Sequence, residues 1–358
     1  MRNFSFVFLP VLFFSLLVTE SAMAQNIRPI RDDVGFCWRP NEMNELMSYL
    51  DKHHKSKKEF SAENLVAGIS PHDDYLYAAK IYYPLYKLIK AKEVVIFGVT
   101  HGTVRKALKD PRNILFLDDY DYWRGPYGNV SISPLREYIK DNLNEEYFQV
   151  NDKAQDIEHS IEALVPFLQY YNRKVKITPI MVTHMPFVRM DAISDKLSDI
   201  ISDYMKKNKL KPGRDIFFLI SSDADHYGKD FDNAPYGEDK SAHLKGTNAD
   251  KQIAKAAFSG GLTKDKIEEL TNNLWGKPAS KDFVSPLWCG MYSIPFGLLA
   301  TEKTIKKATG KNLIGKVFGY SDSKTEGVIP ITDTHMGLTA PFSYKHWVGY
   351  VSAGFYLK

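Results

Sequence analysis

Ile216-Phe217-Phe218-Leu219-Ile220-Ser221-Ser222-Asp223-Ala224-Asp225-His226-Tyr227-Gly228 is the stretch from which the rest of the chain can be read. Five successive large apolar residues show no polar alternation, which is the pattern of a strand covered on both faces. Covering both faces takes helices on each side. The run therefore predicts an α/β architecture with a central, largely parallel sheet flanked by helices. Where the apolar run stops, two hydroxyl residues give way to carboxylates and an imidazole. Acid, base and metal-ligating groups are thus held at the tip of a core strand.

The same arrangement occurs twice upstream. Leu65–Ser70 runs into Pro71-His72-Asp73-Asp74-Tyr75, and Val94–Val99 runs into Thr100-His101-Gly102. In open α/β sheets ligands occupy the crevice beyond the carboxyl ends of the strands, so His72, His101, Asp223 and His226 are expected to converge there. Between the first two strands, Ile81, Leu85, Leu88 and Ile89 carry helical spacing, giving a crossover between parallel neighbours.

Helices are also predicted over 41–51, from Glu158 through Leu168, and over 190–206, 249–258, 263–274 and 291–300. Further strands are predicted over 175–182, 313–320 and 347–356. His159 falls off the packed stripe of Ile157, Ile161, Leu164 and Leu168, and so faces solvent or a polar cavity. Residues 101–135 are aromatic and turn-rich, and read as loop with short strands. Residues 230–247 read as a polar insertion. With no repeat and no linker composition, one domain over residues 25–358 is the economical organisation.

Arg2, the apolar run Phe4–Val18 and Ala22-Met23-Ala24 have the form of a signal peptide over residues 1–24, cut before Gln25. The run is shorter than the ~20 residues needed to span a bilayer. The expectation is an exported chain, secreted or periplasmic, with no membrane insertion after cleavage. The net charge of +4 over 358 residues is spread along the chain without a basic block, so nucleic acid is not an expected partner. The sequence contains no HExxH, CxxC, P-loop or GxSxG, which leaves metalloprotease, dithiol, NTPase and serine-hydrolase chemistry without support. There are two cysteines, Cys37 and Cys289. They either pair as a disulfide in an oxidising compartment, or one serves as a thiolate ligand. Cys289 precedes the apolar helix expected from Met291, and a helix N-terminus favours a thiolate.

With these residues in place, the chain resembles the Memo family, protein B of AmmeMemoRadiSam systems, over nearly all of residues 25–358. The family's Pro-His-Ala-Gly-Tyr is similar to Pro71-His72-Asp73-Asp74-Tyr75, and its Gly-Pro-Ser-His to Gly98-Val99-Thr100-His101. Its Glu-His-Ser-Ile-Glu is intact at Glu158–Glu162, its Ser-Ser-Asp-x-x-His at Ser221–His226, and its Cys-Gly at Cys289-Gly290. Gly349–Gly354 resembles its C-terminal small-residue strand.

The resemblance implies a fold like that of class III extradiol dioxygenases and a non-haem iron or copper site. Carried over, the metal ligands are His72, His101 and Cys289. Asp223 and His226 lie beside them as proton-handling catalytic groups, with His159 in the pocket wall. Two imidazoles and a thiolate suit a borderline or soft transition metal and leave positions open, and a nearby imidazole can transfer protons. Two departures stand out. Asp73 and Asp74 replace Ala and Gly, either to ligate iron or to make a turn. Cys37 falls in the N-terminal Gly35-Phe36-Cys37-Trp38 segment and is expected close to Cys289, as a disulfide partner or a second sulfur.

The functional expectation is an Fe(II)- or copper-dependent oxidoreductase of unknown substrate. The alternative is a non-catalytic protein that handles metal, or that binds an anionic ligand or peptide in the same crevice, rimmed by Trp38, Tyr75 and Tyr77.

Overall fold

The computed structural model describes Met1 and residues 25–54, 60–276 and 284–358; the leader expected over residues 1–24 lies outside them apart from Met1. Four parallel strands form the centre, in the spatial order Lys176–Val182, Glu93–Val99, Ile216–Ser221, Leu65–Ser70. All five residues Ile216–Ile220 are fully buried, each worth roughly 1.5–3 kcal/mol relative to exposure. Their alternation shows in the packing. Phe217 and Leu219 join one core with helices Pro40–His53, Tyr75–Tyr86 and Val165–Tyr171. Ile216, Phe218 and Ile220 join the other, with helices Phe187–Lys207, Lys240–Phe258, Lys264–Leu274 and Ser293–Thr309. The architecture is an α/β sheet with helices on both faces.

The sheet is mixed rather than largely parallel. On one side His346–Leu357 runs antiparallel to Leu65–Ser70, and Leu313–Asp322 antiparallel to that. On the other, Gly128–Ile132 is parallel to Lys176–Val182 and forms a hairpin with Tyr122–Gly125, which pairs with the edge strand Ile27–Arg28. The stretch expected to be mainly loop, 101–135, thus supplies part of the sheet, together with helix Gly102–Ala107 and strand Leu115–Leu117.

Two helix boundaries differ from expectation for identifiable reasons. Glu158 does not open a helix: its carboxylate takes the N–H groups of His159, Ser160 and His101, and the α-helix begins only at Val165, where Pro166 lacks the donor an earlier turn would need. The polar insertion is half helical, because Asp239 caps the N-terminus of Lys240–Phe258 by accepting from Ala242 N at 2.8 Å. Among the described residues, no helix is long and apolar enough to cross a membrane.

The arrangement decides where chemistry is placed. The four central strands point the same way, with Ser70 and Ser221 level in register, so the segments carrying His72, His101 and Asp223 leave the sheet at one edge.

Candidate functional site

His72, two positions beyond the end of its strand, is 1% exposed. Its Nδ1 lies 2.7 Å from Ser221 Oγ. The Ser221 hydroxyl donates its single proton to Ser160 O at 2.6 Å, so it accepts from His72 Nδ1–H and the lone pair is left on Nε2. His101 is set the same way by a different group. Its Nδ1 lies 2.7 Å from Glu158 Oε1, while Glu158 Oε2 accepts from His101 N at 2.9 Å. Burial works to raise the Glu158 pKa, but His101, His159 and the N–H donors outweigh it and hold the carboxyl well below its ordinary range. A carboxylate on Nδ1 fixes the tautomer and leaves His101 Nε2 as the free electron pair.

Cys289 Sγ lies 3.3 Å from His72 Nε2 and accepts from Asp223 N at 3.1 Å. One ligand atom each from His72, His101 and Cys289 falls within 4.8 Å of the other two; the same holds for Asp223, His226 and Cys289, and for His101, Glu158 and His159. Asp223 Oδ1 accepts from His72 N at 2.9 Å. Its Oδ2 is 3.4 Å from His72 Nε2 and 3.9 Å from His226 Nε2, and His226 Nε2 is buried without a hydrogen-bond partner among the described residues. The His159 ring stacks on His101, with centroids 4.7 Å apart and planes 7° from parallel, and meets His72 edge-on at 5.6 Å. His72 and His159 both line a cavity of about 550 Å³.

These groups fit a transition metal ion. Electron pairs facing one another at this range repel unless a proton or cation lies among them. Bonds of ~2.0–2.3 Å to imidazole nitrogen and thiolate sulfur bring ligand atoms within about 4.5 Å of each other. Burial first, and then the neighbouring imidazoles, push His72 well below its ordinary pKa, His159 down to about 4 and His226 down to about 3. Neutral imidazole is the metal-binding form. Burial and then Asp223 push the Cys289 thiol up, opposite to the direction expected from a helix N-terminus. The helix starts at Ser293, four residues on, and desolvation dominates. A half-buried thiol of this kind gives up its proton when a cation replaces it.

Gly290 is needed for this approach, since a Cβ there would overlap Ser222 Cβ and Oγ.

Several expectations are corrected. Cys37 and Cys289 are both free thiols. Cys37 is fully buried, with Sγ 3.6 Å from Arg39 O, and burial pushes its pKa up to about 12. Among the described residues it is neither a disulfide partner nor a member of a ligand group. Asp73 and Asp74 take the turn role: Asp73 Oδ1 accepts from Asp74 N at 2.6 Å and its Oδ2 from Tyr350 Oη at 2.9 Å, while Asp74 Oδ2 accepts from Thr339 N at 2.6 Å. Tyr75 is not on the rim; it is fully buried and donates to Ala163 O. Sequence reasoning also missed the groups that orient the imidazoles, Glu158 and Ser221. The available signal was chemical: each is a hydrogen-bonding residue adjacent to or within a His- or Asp-bearing motif.

Comparison with known proteins identifies relatives of the chain. A family model described as Memo-like protein matches residues 34–307. A MEMO1 family protein of Aquifex aeolicus is 33% identical over 189 residues, covering 52% of this chain and 62% of that protein. One of Sulfurisphaera tokodaii is 34% identical over 173 residues, covering 47% and 55%. One of Desulfurococcus amylolyticus is 27% identical over 203 residues, covering 53% and 65%. The chain therefore spans between half and two thirds of the length of these relatives.

Proposed function

This chain belongs to the Memo family, and from that premise we propose that it is an exported metal-dependent oxidoreductase in which His72 Nε2, His101 Nε2 and Cys289 Sγ hold one Fe(II) or copper ion. The observation that carries the reading is the meeting of three ligand atoms within 4.8 Å while the other nitrogen of each imidazole is tied down by Ser221 or Glu158. Kinship of the fold with class III extradiol dioxygenases is part of the same proposal, as analogy. So is export, which rests on the leader pattern of residues 1–24.

Bound there, the ion would supply Lewis acidity and one-electron redox chemistry to a substrate in the adjoining cavity. The chain's own groups divide the remaining work. Ser221 and Glu158 fix the ring planes. Burial and then Asp73 raise the Asp223 pKa well above its ordinary value, so the carboxyl can hold a proton at Oδ2, and His226 Nε2 stands 3.9 Å away to exchange it. His159 presents an aromatic, neutral wall to whatever enters.

Anaerobic purification followed by metal analysis tests the reading. We expect about one iron or copper per wild-type chain and its loss in a folded His72→Ala, His101→Ala double variant. A wild-type protein as metal-free as that variant defeats it. An oxygen electrode with ascorbate as reductant then separates turnover from metal handling: sustained uptake faster than that of the same amount of free metal salt supports an oxidoreductase, and uptake no faster than the free salt supports storage.

A further inference from the structure

Two neighbouring hollows lie beside the imidazole cluster. The inner one, about 550 Å³, has His72 and His159 in its wall together with Asp32, Asp33, Asp73 and Asp74. The outer one, about 480 Å³, is lined by Tyr77, Leu338, Thr339, Ala340, Pro341 and Phe342. Leu338 and Thr339 line both, so the two are neighbours. Their combined size is that of a site for a small organic molecule.

The two halves differ in character. Around the inner hollow four carboxylates face one cation, Arg31. The hydrogen bonds these carboxylates accept come from neutral donors: Val34 N and Gly35 N to Asp32, Asp74 N and Tyr350 Oη to Asp73, and Thr339 N and Oγ1 to Asp74. Asp32 Oδ2 and Asp74 Oδ1 close on the same point, the place where a Cβ on Gly35 would stand, with Asp32 Oδ2 3.0 Å from it. Two carboxyl oxygens are thus drawn together beside an open space. Around the outer hollow the surface is apolar, and Leu338 and Phe342 are among the exposed large hydrophobic residues, at 38% and 37%. Val34, on the inner rim, is exposed to 41%.

We propose that the double hollow binds an organic ammonium ion, with the cationic nitrogen among Asp32, Asp33 and Asp73 and an apolar chain or ring along Tyr77, Leu338 and Phe342. An ammonium donates to the lone pairs that the neutral donors leave open and offsets the excess negative charge. Its carbon chain covers apolar surface that now faces water, each buried methylene adding roughly fourfold in affinity. This inference deepens the function proposed above and rests on it for one point: the nitrogen-bearing end of the ligand is the end that lies beside His72.

Calorimetric titration of the full, metal-free protein with n-hexylammonium chloride, n-butylammonium chloride and sodium hexanoate tests it. We expect hexylammonium to bind at least tenfold more tightly than hexanoate, which has a tail of similar length and the opposite charge, and butylammonium to be weaker than hexylammonium by roughly sixteenfold. Asp73→Asn and Asp32→Asn are each expected to weaken hexylammonium about tenfold. Asp33→Asn, at an exposed position where folding is not at stake, lowers affinity by a smaller factor that salt removes. Phe342→Ala is expected to narrow the gap between hexyl and butyl, and Asp265→Asn, an exposed carboxylate elsewhere, to change nothing. Hexanoate binding as tightly as hexylammonium overturns the proposal. So does wild-type affinity in all three carboxylate variants, or no heat from hexylammonium at millimolar concentration. Metal uptake measured on the same preparations keeps the two readings apart. A protein that loads metal but ignores hexylammonium refutes this inference alone, and one that binds hexylammonium but takes up no metal refutes the metal centre alone.

Discussion

Replacing Glu158 by Gln probes the least visible support of the proposed centre. The carboxylate is buried and receives four donors, His101 Nδ1–H at 2.7 Å and the backbone N–H groups of His101, His159 and Ser160 at 2.9 Å each. A glutamine retains one oxygen. With that oxygen in the Oε1 position, three donors remain satisfied and the amide NH₂ faces His101 N–H, leaving buried donors unpaired at about 1–3 kcal/mol. The opposite orientation sets NH₂ against three donors and is worse. Loss of the negative charge also removes the group that keeps the proton on His101 Nδ1 and raises the basicity of Nε2, an effect typically worth roughly 10–100-fold in metal affinity. The expected outcome is a folded protein with a melting free energy lower by about 2 kcal/mol and metal affinity down by at least tenfold, read by chelator competition and calorimetry. A Glu158→Gln protein that melts like wild type and holds metal within about twofold of it would refute the reasoning, because the carboxylate would then be orienting nothing.

Three further outcomes follow from particular contacts. Gly290→Ala drives a methyl group into Ser222 and is expected to lose about 1–3 kcal/mol of stability together with metal affinity, since Cys289 is the adjacent residue; unchanged thermal unfolding would contradict the packing. Asp215 is held down to about 2 by Arg214 and by the Lys211 N–H and Lys92. A depressed carboxylate stabilises fully above its unfolded value near 3.8 and loses that contribution as pH falls towards 2. Because Arg214 and Lys92 are 62% and 75% exposed, the contribution is discounted to about 1 kcal/mol, and urea unfolding of Asp215→Asn should show a shallower decline than wild type between pH 4 and 2. Finally, thiol titration of denatured, unreduced protein should count two free thiols, and zero would restore the disulfide.

Much of the fold and of the site could be read from three apolar runs. Ile216–Ile220, Val94–Val99 and Leu65–Ile69 announce buried strands because they lack alternation, and a histidine shortly after the second and third, with the Asp223/His226 pair after the first, is enough to predict one shared edge. The mixed character of the sheet was not legible, since the antiparallel strands His346–Leu357 and Leu313–Asp322 carry the same apolar content as parallel ones and differ only in how the chain returns. Glu158 was hidden for another reason. It lies 57 positions from the His101 ring it orients, and local pattern gives it the look of a helix start. The expectation of an acidified Cys289 failed on magnitude: a helix end acts over about one turn, whereas burial acts on the thiol directly.

X-ray absorption at the metal edge of reduced, metal-loaded protein tests the central claim most directly. The account predicts one sulfur scatterer near ~2.3 Å and two imidazole nitrogens near ~2.0–2.1 Å, with the sulfur shell absent from Cys289→Ser and an imidazole lost from His101→Ala. A wild-type spectrum built of oxygen and nitrogen alone, and unchanged in Cys289→Ser, would contradict it.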